Sequence, residues 1–231
     1  MSTPDFDRPS LTDVAYREIR DSILIGRLLP GDKLVVNDLV EQWKISNTPI
    51  KEALNRLVAE GLVEALPRRG MRVRLLTVEE LREIFEIRTI YEVHCGRKAV
   101  EKIADNPQVL EELQATLAKS RDILEDEFNY LLQFQLDEMF HMLIASLSGN
   151  NMLIKDFDRI HAHFLLIGIH ANRKAPLRRL KETYGEHKAM LSGLERKNAD
   201  EMERAVQTHL NNTVEDLIRL YHPKSGRFMN R

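Results

Sequence analysis

Asp137 and His141 stand four residues apart, the interval that puts two side chains one turn above another on the same helix face. A carboxylate and an imidazole so placed can share one metal ion. His187 and His209 fall near the middle of two further stretches of helical periodicity, each flanked by apolar positions such as Met190, Leu191, Val206 and Leu210. Both can therefore project into the interior of a helical bundle, where such sites are built. Three imidazoles and one carboxylate suit zinc, nickel, iron or manganese and leave coordination positions open for water or a ligand carboxylate. Each residue alone also has a plainer reading. A single inward histidine is more often a hydrogen-bonded core residue than a ligand, and an Asp/His pair at this interval is common on exposed faces.

A second set of chemically capable residues lies in the first third of the chain. Between Gln42 and Leu76 the charged residues are Lys44, Lys51, Arg56, Arg68, Arg69, Arg72 and Arg74 against Glu52, Glu60 and Glu64, seven positive and three negative. The chain as a whole carries a net charge of −2, so nucleic-acid binding must rest on this local excess. A basic turn on a small helical domain is usually only solvated surface, and the order of elements around it has to supply the rest of the case.

Those elements can be read from hydrophobic spacing. Residues 1–9 are polar and point to a disordered tail, after which Leu11, Val14, Ala15, Ile19 and Ile23 recur at helical intervals up to Gly26. The Leu29-Pro30-Gly31-Asp32 turn interrupts the pattern, and the apolar run Val35 to Trp43 is too short to stand without a partner helix. Ser46, Asn47, Thr48 and Pro49 then offer cap residues and a first-turn proline, followed by the apolar stripe Ile50, Ala53, Leu54 and Leu57 and a stop at Gly61. Two β-like runs, Leu62 to Leu66 and Met71 to Leu75, flank Pro67-Arg68-Arg69-Gly70, a hairpin with a basic tip. Three short helices and such a hairpin describe a winged helix-turn-helix over residues 10–76. In that arrangement Asn47, Thr48 and Lys51 occupy the turn that reaches base edges, Lys44 and Arg56 suit phosphates, and Arg68 and Arg69 reach the minor groove or backbone.

From the capping box Thr77-Val78-Glu79-Glu80 to Tyr221 the pattern is helical, with no strand signal. Breaks at Asn106-Pro107, around Glu127, at Ser148-Gly149-Asn150, from Asn172 to Pro176 and at the second capping box, Asn198 to Glu201, divide it into about six helices of about 18–25 residues. The expected fold is mainly α, with a winged helix-turn-helix followed by an antiparallel bundle over residues 77–222. A chain of 231 residues, 43% hydrophobic and 30% charged, can bury the core this requires. The single Cys95 excludes an intramolecular disulfide, and neither an apolar leader nor a membrane-length stretch is present, which points to the cytoplasm.

The order Ile25-Gly26-Arg27-Leu28-Leu29-Pro30-Gly31-Asp32-Lys33-Leu34, then Ile45 to Leu54, then Glu60-Gly61-Leu62-Val63, closely resembles the GntR family of bacterial regulators. That family commonly has arginine where this chain has Asn47 and Lys51, so the resemblance implies an operator different from the common one. Lysine loses the planar fork that pairs with guanine, and asparagine favours adenine. From about Val78 to Leu220 the chain is similar to the FadR C-terminal domain, through Arg88-x-x-x-Glu92, Asp137 to His141, Ser148-Gly149-Asn150, Glu186-His187 and Thr208-His209-Leu210. The resemblance implies that Asp137, His141, His187 and His209 hold a divalent metal at the floor of an effector cavity. It also puts Arg88 in that cavity, where a guanidinium would pair with an organic-acid effector; the alternative is a surface pair with Glu92 or Glu86. Tyr91, Asn150 and Asn212 are further candidates to border it. His161, His163 and His170 read as surface or dimer-interface residues, while His94 and His222 carry no pattern.

The expected function is a homodimeric, effector-responsive transcription regulator that binds a short inverted repeat in double-stranded DNA, and not an enzyme. The competing reading is a metal-dependent hydrolase with an accessory DNA-binding domain, against which stands the lack of a separate catalytic base or oxyanion arrangement beside the ligands. A third is an architectural DNA-binding protein with a degenerate sensor.

Overall fold

The computed structural model describes residues 9–125, 129–157, 159–160, 163, 166, 175–222 and 227–228. The chain forms two compact units that divide between Leu75 and Leu76.

In the first unit, α1 (Leu11–Leu24) starts at Ser10, whose hydroxyl accepts from the Asp13 amide, and buries Ala15, Ile19 and Ile23. Helix α2 (Val36–Trp43) ends on Lys44, held at φ 57° with its amide donating to the Val40 carbonyl at 2.9 Å. That left-handed residue turns the chain into α3 (Asn47–Ala59), whose Ile50, Ala53, Leu54 and Leu57 are fully buried, with α3 packed on α1. The hairpin is β2 (Val63–Leu66) against β3 (Gly70–Val73), and β3 also pairs antiparallel with β1 (Lys33–Leu34), giving the order β1-β3-β2. Strand β1 was not legible beforehand. Two residues cannot display an alternation, and what fixes them is non-local: the Gly31 amide donates to the Val73 carbonyl and the Val73 amide to the Asp32 carbonyl, each at 2.9 Å.

The second unit is helical. Helix α4 (Val78–Lys102) opens with a complete capping box between Thr77 and Glu80 and runs into a 3-10 turn, Ile103–Asp105. Helices α5 (Pro107–Glu125) and α6 (Tyr130–Ser146) follow, then a helical stretch over 151–157, and finally α7 (Leu177–Glu195) and α8 (Ala199–Leu220). Helix α8 packs on both α4 and α7, α5 on α6 and α7, and α4 on α6. The five named helices run from 17 to 25 residues, long enough for each to cross the bundle. The break expected around Glu127 lies outside the described residues, as do most of the residues from Asn172 to Pro176 and the expected N-terminal tail. At its far end α8 stops at Leu220, and Tyr221–His222 pairs with Arg227–Phe228, a short strand pair where helix was expected to Tyr221. Among the described residues no helix is long and apolar enough to cross a membrane.

Candidate metal centre and nucleic-acid interface

Helix α6 contributes Asp137 and His141, α7 contributes His187 and α8 contributes His209. One donor atom from each lies within 4.8 Å of the other three. The three histidines are almost fully buried and Asp137 half-buried. The Phe140 ring stacks on His187 at 4.7 Å between centroids and 18° between planes, fixing that imidazole's tilt.

Two carboxylates orient the imidazoles from outside this set. Glu92 Oε2 lies 2.7 Å from His141 Nδ1, and Glu186 Oε2 lies 2.9 Å from His209 Nδ1. Engaging Nδ1 leaves Nε2 of both rings as the lone-pair donor, the arrangement in which a carboxylate sets the tautomer of a metal-binding histidine. His141 Nε2 and His187 Nε2 are buried without a hydrogen-bond partner. A buried ring nitrogen left unsatisfied costs stability, and a cation among the four donors would satisfy both. Within the set, His187 Nε2 lies 3.4 Å from Asp137 Oδ1, which does not replace that partner.

The electrostatics separate the rings. Burial drives His187 well below its ordinary pKa, with the positive charge of His209 and His141 adding to the effect. Burial also lowers His209, although its bond to Glu186 pulls the other way. For His141 burial is outweighed by the Glu92 carboxylate, so its pKa is raised. Burial would raise Glu92, but the Arg88 guanidinium and His141 hold it below the ordinary carboxylate range. His187 and His209 are thus held toward the neutral form, ready to bind a cation, whereas His141, which Glu92 favours as the protonated ring, must release a proton to solvent before its Nε2 can bind one.

Arg88 and Glu92 form a buried pair, with Arg88 Nε and Nη2 at 2.8 and 2.7 Å from Glu92 Oε1, so the i,i+4 contact exists in the core and not on the surface. Arg88 also lines a cavity of about 50 Å³ together with Asp137, His209 and Thr213, room for a few water molecules or one carboxylate group. A second buried guanidinium, Arg179, lines the same cavity and was not anticipated. It holds Glu186 through Nη1 at 3.1 Å and Asp216 through Nε. No sequence spacing pointed to it, because its partners lie seven residues away and on another helix. Tyr91, Asn150 and Asn212 do not line the cavity. Tyr91 packs against Cys95, Ala145 and Phe157, Asn150 is exposed and caps residues 152 and 153 through Oδ1, and Asn212 Nδ2 donates to Glu186 Oε1 at 2.8 Å. His94 is exposed, His163 Nδ1 lies 3.0 Å from the Arg159 carbonyl, and His161 and His170 fall outside the described residues.

In the first unit Asn47, Thr48 and Lys51 are exposed on the opening turns of α3, and Lys44 is exposed just before it. Arg68 and Arg69 are exposed at the hairpin tip. There the Arg69 amide donates to the Leu66 carbonyl at 3.0 Å, and Arg68 takes φ 61°, a left-handed conformation unusual for a residue with a side chain. Arg56 faces the other way. Its guanidinium sits 3.9 Å above the Tyr16 ring and 3.1 Å from Asp13, so α1 holds it.

Residues 11–73 match the family model "Bacterial regulatory proteins, gntR family", and residues 83–212 match that of the FCD domain. The Nta operon transcriptional regulator of Aminobacter aminovorans is 32% identical over 127 residues, 54% of this chain and 58% of that protein. The HTH-type transcriptional repressor RspR of Escherichia coli K12 is 24% identical over 92% of this chain and 91% of its own length. Among solved structures, E. coli McbR/YncC superposes with a TM-score of 0.79 at 26% identity, covering 93% of this chain and all of that one. Nothing in these likenesses supports the hydrolase reading. With an exposed polar α3 and a basic wing in one unit and a helical bundle in the other, the chain belongs to the GntR family of DNA-binding transcriptional regulators, in the branch that carries an FCD domain.

Proposed function

We propose that the helical unit senses a small organic acid through one divalent ion held by Asp137, His141, His187 and His209, and that this controls operator binding by the winged helix. The observation that carries the reading is the convergence of four donor atoms within 4.8 Å, with two imidazoles positioned by carboxylates and two buried ring nitrogens lacking partners. A bound zinc, nickel, manganese or iron ion supplies Lewis-acid attraction for a carboxylate. The chain's own residues supply the rest: Arg88 offers the cavity a buried guanidinium, and Glu92 and Glu186 hold two ligands in orientation.

The DNA side rests on Lys44, Asn47, Thr48 and Lys51 near the start of α3 and on Arg68 and Arg69 at the wing. Arg56, engaged by Asp13 and Tyr16, acts first by fixing α3 against α1 and only secondarily on phosphate. The protein works as a cytoplasmic homodimer on a short inverted repeat, because one winged helix contacts too few base pairs for useful affinity alone. Effector binding then changes the spacing of the two reading heads.

Thermal-shift measurements with acetate, lactate, malate and citrate test the sensor. At least one should raise the melting temperature of zinc-loaded protein, and treatment with a chelator should abolish that shift. A carboxylate that stabilises the chelated protein as strongly as the loaded one would overturn the metal-dependent reading.

A further inference from the structure

The residues of the DNA-binding unit divide by side. Glu52 of α3 accepts from Thr12 at 2.7 Å, Glu60 at its C-cap accepts from Tyr16 at 2.7 Å, and Arg56 of α3 bonds Asp13, so these two acids and one base are engaged by α1. An adjacent side of the helix borders a groove lined by Lys51 and Asn55 of α3, Lys33 of β1, and Arg69 and Gly70 of the wing. None of the residues lining it is acidic. Lys33, Lys51, Asn55 and Arg69 are all exposed. Among the described residues none of the three cations makes an ion pair, whereas Arg72 of β3 is paired with Glu64 at 2.6 Å.

Thr48, Lys51 and Asn55 stand at i, i+3 and i+7 and form one stripe along α3. The sequence expectation places Asn47, Thr48 and Lys51 at base edges and Arg56 on phosphate. The helix instead turns Arg56 to α1 and presents Asn55 beside Lys51. Lys33 comes to the same groove because β1 adds to the wing sheet, with Lys33 opposite Arg72 in the register.

Building on the DNA-binding reading, we propose that Lys33 and Asn55 are DNA-contacting residues of this chain, Asn55 reading a base edge and Lys33 holding a backbone phosphate. The groove brings them together with Lys51 and Arg69 into a continuous surface without negative charge, which suits a polyanion. Asn55 carries an amide with one donor and one acceptor face, the pattern that pairs with adenine in the major groove. Lys33 is a flexible point charge at the sheet edge, suited to phosphate.

The test uses duplexes selected from a random pool by the full-length wild-type protein, and a scrambled duplex of equal length, titrated by fluorescence anisotropy over a range of salt. Lys33→Ala should weaken binding to both duplexes by a similar factor and reduce the slope of log affinity against log salt by about one. Asn55→Ala should lose roughly 5- to 150-fold on the selected duplex, little on the scrambled one, and become indifferent at one base pair per half-site on reselection. Arg27→Ala removes an exposed charge outside the groove and should behave as wild type. An unchanged salt slope in Lys33→Ala, or the same selected sequence from Asn55→Ala, overturns the inference. If Lys51→Ala weakens binding while those two variants do not, the fault lies in this inference alone; a wild-type protein that selects no sequence overturns the DNA reading beneath it.

Discussion

At the scale of single residues, what distinguishes the candidate centre is that burial favours the neutral form of His187 and His209, while the buried Nε2 atoms of His141 and His187 lack hydrogen-bond partners. This has a pH consequence with a definite sign. His187 and His209 have folded pKa values below the ordinary histidine value of 6.5, so below that pH the unfolded chain binds protons that the folded chain refuses. Their contribution to stability is therefore lost as the pH falls. His141 is shifted upward and works in the opposite sense, stabilising while protonated and losing that contribution as the pH rises through its folded value. With two rings against one, the chelated protein should melt at a lower temperature at about pH 5.5 than at about pH 7.5. The zinc-loaded protein should lose more over the same interval, since protons also compete for the ligands. Differential scanning fluorimetry reads both, and a chelated protein that is more stable at the acid end would contradict the assignment of neutral rings. The four candidate ligands were legible because helical periodicity puts Asp137 over His141 and turns His187 and His209 inward, and because the resemblance to the FadR C-terminal domain implies all four as one set. Glu92 and Glu186 were legible only as parts of motifs, since which imidazole each carboxylate meets depends on how α4, α7 and α8 are packed.

The elements carry a close helix approach and a strained turn that the spacing of the sequence does not display. An ideal Cβ at Gly193 would come within 2.9 Å of the Met202 backbone nitrogen, so α7 and α8 approach closely just beyond their His187 and His209. Backbone cannot swing aside as a side chain can. Gly193→Ala should cost roughly 1–3 kcal/mol by forcing the two helices apart, and should weaken zinc binding because His187 and His209 ride on them. Urea unfolding and zinc titration check the two effects, and a variant with wild-type values for both would show that the close approach does not set the centre. In the wing, Arg68 is held at φ 61°, which costs on the order of 1 kcal/mol for a residue with a Cβ. Arg68→Gly should therefore raise stability by up to about 1 kcal/mol while weakening DNA binding, a trade that denaturation and anisotropy measured together would reveal. Loss of stability without loss of binding would mean that Arg68 serves the fold. The long helices were readable from their spacing and caps. Strand β1 was not, since hydrogen bonds to β3 from residues about forty positions away define it, and neither were the contacts of Arg56 with Asp13 and Tyr16, because helical spacing does not say that α1 lies against its guanidinium.

For the whole molecule, the division between Leu75 and Leu76 separates a unit that meets DNA from a unit with a buried polar centre. Regulation requires that the second unit adopt states that differ in operator affinity, and an ion held by the candidate ligands on α6, α7 and α8 would be a means of selecting one of them. A homodimer would let that choice act on two half-sites at once; sedimentation at micromolar concentration should give twice the chain mass, and a strictly monomeric protein with and without DNA would contradict that part. The central claim is tested most directly by metal content. Protein stripped with a chelator, reloaded with zinc and freed of excess should contain close to one ion per chain by elemental analysis, while His187→Ala and His209→Ala, if folded by circular dichroism, should contain far less. Wild-type protein that retains no metal, or variants that retain as much as wild type, would contradict the claim that Asp137, His141, His187 and His209 form a metal centre.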